Sequence, residues 1–138
     1  MSNQLKTVAR LISGGLQSKV YLVKLIGFDT HNSQVQGQSN IQGRHNDLLI
    51  ELNNAVASFM DDISNQGFQD DVVGLTFSEF GRKAKENGNL GTDHGEIAPM
   101  FVFGSAINGG VSGTNPDLTE ATAENNFQLT FHYSFVTD

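Results

Sequence analysis

Four positions carry residue types that could do chemistry together. In "GFDTH" (residues 27–31), Asp29 and His31 stand two apart. In extended backbone such side chains share a side, so both could reach one ion or one water. Zinc-like divalent ions accept imidazole nitrogen and carboxylate oxygen. The plainer alternative is that Asp29 caps a turn and His31 is solvated. In "GTDHG" (residues 91–95), Asp93 and His94 are adjacent and point apart if the backbone is extended. One could ligate while the other orients a neighbouring ligand, or they could serve two ions, or form an ordinary polar loop. Gly91 and Gly95 permit close backbone approach under any of these readings.

A third motif, "SEFGR" (residues 78–82), adds Glu79 as a ligand or general base and Arg82 as a bidentate clamp for an anionic oxygen. Its alternative is a helix start, with Ser78 as cap and a Glu79–Arg82 ion pair. Ser78 is not in a G-x-S-x-G elbow, so a serine-hydrolase triad has no support. His45 falls on the apolar stripe of a helix and reads as a packing residue. His132 falls on the polar side of a terminal strand and is given no role. Gly109, Gly110 and Gly113 lack the context of a phosphate-binding loop.

These motifs must be held by surrounding elements. Leu5, Val8, Ala9 and Ile12 recur at helical spacing, so residues 3–13 are a predicted helix ended by Gly14-Gly15. A longer helix is predicted over 44–65, with His45, Leu48, Leu49, Leu52, Val56, Phe59 and Ile63 on one stripe and Gly67 beyond its end. Residues 19–26, 71–77 and 99–104 are apolar runs, read as strands buried on both faces. The alternation of helices and strands predicts an α/β fold: a mostly parallel sheet flanked by helices. In such sheets ligands bind beyond the carboxyl ends of strands, where "DTH" and "SEFGR" fall. In residues 127–135, Phe127, Leu129, Phe131, Tyr133 and Phe135 alternate with polar residues, which predicts a terminal edge strand.

Composition narrows the function classes. The chain has 138 residues, 38% hydrophobic, with a net charge of −7. That suits one globular domain. The absence of a Lys/Arg cluster argues against nucleic acid as partner. Apolar runs are too short for a membrane-spanning helix, and "MSNQLKTVARLI" has no signal-peptide pattern. With no cysteine, thiolate metal sites and disulfides are excluded.

The run from "LKTVARLI" through "KVYLVKLIGFDTHNSQ" and "VVGLTFSEFGRKAKENGNLGTDHGEIAPMFVFG" resembles the bacterial family called domain of unknown function 1501, over about residues 5–118, with 119–138 as an atypical tail. That family is similar to the alkaline phosphatase and sulfatase superfamily. The resemblance implies a partial α/β/α sandwich, a periplasmic or extracellular location, a divalent metal and a small anionic ester substrate. On it, Asp29 and His31 look like an Asp-and-His ligand segment, and His94 like a late histidine ligand. "SEFGR" departs from the Asp-His pair that the superfamily usually carries there. The resemblance also implies that this chain is the C-terminal half of a larger domain, without the half that holds the nucleophile.

Two functions are therefore expected in competition. One is part of a metal-dependent phosphate or sulfate ester hydrolase, with metal ligands among Asp29, His31, Asp93 and His94 and with Glu79 and Arg82 catalytic. The other is a non-catalytic binding or structural domain. The terminal strand is expected to pack either at an edge of this chain's own sheet or against another copy, the second giving a homo-oligomer through an exposed sheet edge.

Overall fold

The computed structural model describes residues 1–37, 39 and 41–129. Two helices form its apolar layer. Helix α1 spans Ser2–Ser13 and α2 spans Arg44–Asn65. Both end in the same hydrogen-bond pattern. In α2, Gly67 takes φ +80°, its N–H bonds to Ser64, and the Phe68 N–H reaches back to Ile63 at 3.0 Å. This closes the last turn through a left-handed residue, which glycine adopts without cost to a Cβ. Gly14-Gly15 stops α1 likewise.

Leu5 and Ala9 of α1 pack against Ala55, Phe59 and Ile63 of α2. The buried row of α2 is thus Leu48, Ala55, Phe59 and Ile63, while Leu49, expected on the stripe, is exposed. His45 sits where expected, half-buried with its ring edge-on to Phe28.

The parallel sheet predicted from the apolar runs is not what forms. Among the described residues, four short strands make two separate antiparallel pairs. Strand β1 (Gly74–Leu75) pairs with β4 (Val102–Phe103), and β2 (Gly81–Glu86) pairs with β3 (Thr92–Gly95). Residues 19–26 are extended but outside these strands. Tyr21, Val23 and Leu25 turn inward, and Val23 reaches the helical core, while Val20, Leu22 and Ile26 are 81%, 78% and 72% exposed. The backbone of Lys24 finds both partners in one side chain: Gln4 of α1 accepts from its N–H at 3.0 Å and donates to its carbonyl at 2.9 Å. Residues 72–77 behave alike, with Val72 against the core and Val73, Leu75 and Phe77 outward. An unbroken apolar run fits one-face burial as well as two-face burial, and here the helices cover one face only.

The "SEFGR" motif also departs from expectation. No helix follows Ser78. Arg82 lies in β2, and the Ser78 hydroxyl donates to the Phe80 carbonyl at 2.8 Å. At the far end, Asn126 and Phe127 adopt positive φ within a turn. The Phe127 carbonyl accepts from the Ala84 N–H at 3.2 Å, and Leu129 is buried. The remainder of the expected terminal strand, with Phe131, His132, Tyr133 and Phe135, lies outside the described residues. Among the described residues, no helix is long and apolar enough to cross a membrane.

Candidate metal centre

The candidate site forms where residues 28–35 lie against the β2–β3 hairpin. Ser33 N–H bonds to Asn89 at 3.1 Å and Val35 N–H to Leu90 at 3.2 Å, so the hairpin turn docks along this segment. Thr30, 2% exposed, is the buried polar residue beneath it. Its hydroxyl and that of Thr92 both donate to Gln34 Oε1, at 3.1 and 2.8 Å. Gly91 is required by contact: a Cβ there would overlap the His31 carbonyl. These bonds bring the "DTH" and "TDH" motifs face to face.

Three ligand atoms then converge. His94 Nε2 lies 2.9 Å from Asp29 Oδ1, His31 Nε2 lies 3.1 Å from the same oxygen, and the two Nε2 atoms are 3.2 Å apart. A tetrahedral zinc-like ion with ligands at 2.0–2.1 Å has ligand–ligand edges of about 3.3 Å. The triangle therefore fits one face of such a tetrahedron, slightly compressed. Asp29, His31 and His94 are together able to hold a metal ion. All three side chains are half exposed or nearly so.

The other predicted residues divide. Asp93 Oδ1 is 3.1 Å from His31 Nδ1, behind the imidazole rather than on the triangle. Arg82 ties three segments together: Nη1 donates to the Thr92 carbonyl at 2.6 Å, and Nη2 donates to the Phe28 carbonyl and to Asp29 Oδ1. Its side chain is only 19% exposed. Phe80 stacks on His94 at 3.9 Å and lies under the Arg82 guanidinium. Glu79 is exposed and lines a separate cleft of about 190 Å³ with Ser78, Glu96 and Met100. Among the described residues it makes no hydrogen bond to the triad.

The electrostatics favour ionised carboxylates. The His94 hydrogen bond, helped by the neighbouring His31 and Arg82, holds Asp29 below the usual carboxylate range. Asp93 is lowered first by the Asn87 amide and then by His31. An ionised carboxylate only accepts, so His31 faces an acceptor at each ring nitrogen: Asp93 Oδ1 at Nδ1 and Asp29 Oδ1 at Nε2, both at 3.1 Å. Sequence reasoning missed Asn87, Gln34, Thr30 and Phe80. Asn87 sits in a turn-rich stretch, and nothing in its neighbours marks it as more than a turn residue.

No curated protein and no solved structure matches this chain. The profile of the family described as "Protein of unknown function (DUF1501)" matches residues 8–133. That stretch contains α2, all four strands and every residue of the triad, and the chain is a member of the DUF1501 family.

Proposed function

We propose that Asp29, His31 and His94 hold a divalent, zinc-like cation and that the site serves hydrolysis of a phosphate or sulfate ester. The observation that carries this reading is the triangle of ligand atoms with edges of 2.9, 3.1 and 3.2 Å. A bound divalent cation supplies Lewis-acid polarisation of an ester oxygen. The chain's own residues do the rest. Arg82 holds the Asp29 carboxylate in register and contributes positive charge beside it. With a cation at Nε2, His31 would donate from Nδ1 to Asp93, which orients the ring. Glu79, next to the Phe80 ring that stacks on His94, is the general-base candidate.

A second reading, a cation-holding domain without turnover, is favoured by the placement of Ser78 and Glu79 in a separate cleft. Zinc titration of the chain by calorimetry, beside Asp29→Ala and His94→Ala, tests the shared part. Binding at one equivalent that weakens by at least about tenfold in each variant is expected. Equal binding in all three sinks the metal site. Nitrophenyl phosphate and sulfate assays with and without zinc then separate the hydrolase from the silent binder.

A further inference from the structure

We infer that Asn108 is a site of spontaneous covalent modification, converted to aspartate and isoaspartate, and that the fold shields Asn87 from the same chemistry. The chain has two Asn-Gly pairs, Asn87-Gly88 and Asn108-Gly109. Asparagine is a thermolabile residue, and a following glycine has no side chain to block attack on its amide. In the reaction the glycine nitrogen loses its proton and bonds to the asparagine Cγ. The Cγ–Nδ2 bond breaks, and the side-chain nitrogen takes up a proton and leaves as ammonia. Water then opens the cyclic imide at either carbonyl. Opening at one gives aspartate and at the other isoaspartate, with water as the co-reactant and no change of oxidation state.

The amide and the next N–H must both be free to meet. Asn87-Gly88 meets neither condition. The Gly88 N–H donates to Glu86 Oε1 at 2.8 Å. Asn87 Nδ2 donates to the His31 carbonyl at 2.8 Å and to Asp93 Oδ1 at 3.2 Å, while its Oδ1 accepts from the Asn89 N–H at 3.0 Å. Ring closure there would break all of these bonds. Asn108-Gly109 lies in the exposed stretch that follows β4. Among the described residues, neither the Asn108 amide nor the Gly109 N–H has a hydrogen-bond partner. A Cβ at Gly109 would meet nothing within 4 Å, and another glycine follows, so no neighbour hinders the approach. Nearby Asn115 precedes Pro116, which has no N–H to attack with.

The full chain, aged in mildly alkaline buffer and then cleaved after glutamate in acidic buffer, tests the inference. Glu96 lies between the two pairs, so they fall on separate peptides. Mass spectrometry scores conversion of amide to acid, and chromatography separates the aspartate and isoaspartate forms. In the folded chain Asn108 is expected to convert at least about tenfold faster than Asn87, since two net hydrogen bonds are worth that much in rate. In urea the two pairs should convert at similar rates, because there only the shared glycine acts. In Asn108→Gln the main acidic species of the folded chain is expected to vanish. An intact Asn108 in the aged folded chain, or persistence of that species in Asn108→Gln, overturns the modification site. Equal rates in the folded chain, or the same preference kept in urea, overturn the shielding. The reaction needs no metal, so these outcomes are read on the metal-free chain whether or not zinc binds the triad.

Discussion

The helical layer and the β2–β3 hairpin are held by different forces. Between α1 and α2 the contact is apolar: Leu5, Ala9, Ala55, Phe59 and Ile63 exclude water from one another. Around the candidate metal centre the contacts are polar and partly buried, running through Gln34, Arg82, Asn87 and Asp93. Apolar burial is tolerant of small shifts and insensitive to direction. Hydrogen bonds are directional, and their net worth is modest, about 1 kcal/mol each. The helices therefore supply stability, and the hairpin supplies placement.

Substitutions on the two sides should separate accordingly. Phe59→Ala opens a cavity in the helical core and should cost about 3–5 kcal/mol in urea unfolding, with the zinc affinity of the remaining folded protein unchanged. A coupled loss of affinity would break the division of labour. Gly91→Ala drives a methyl into the His31 backbone and should cost about 1–3 kcal/mol as overpacking. Its larger signature is local: amide exchange should accelerate in the hairpin and not in α2. Uniform acceleration would mean that the hairpin and helices unfold as one unit.

Tyr21 offers a smaller test on the helical side. Its hydroxyl is buried with no partner among the described residues. Tyr21→Phe removes an unsatisfied group, so stability should hold or rise by up to about 1 kcal/mol. A clear loss would reveal a partner for the hydroxyl. The smallest effect concerns His45, whose pKa is lowered by burial first and by the Arg82 charge second. The unfolded chain then binds a proton that the folded one refuses. Stability should rise with pH through the window below 6.5, starting at the lower folded value, and level off above it. His45→Gln should flatten this part of the profile, and an unchanged slope would assign it to another group.

The same contrast explains what could be read in advance. Both helices were legible because Leu5 and Ala9, or Phe59 and Ile63, recur with helical period and glycines close each end. The strands were not. "KVYLVKLI" satisfies the pattern of a doubly buried strand, yet Lys24 takes its partners from Gln4. The residue types of the centre were legible at Asp29, His31 and His94, but their partnership was not. It depends on a hairpin register that sets Arg82 opposite His94 and on a Gly91 contact far away in sequence. Asn87 was invisible because an amide in a turn has a sufficient local explanation.

The Gln4–Lys24 contact has a consequence for how the chain fails. It occupies backbone groups of an extended segment whose outward residues are Val20, Leu22 and Ile26. When α1 lifts away on heating, those groups and the Tyr21–Val23 face are released together. The freed stretch has the β-branched, weakly charged make-up that templates intermolecular β-pairing. Loss of one short helix should then turn reversible opening into aggregation, with an apparent melting temperature that shifts with scan rate and protein concentration.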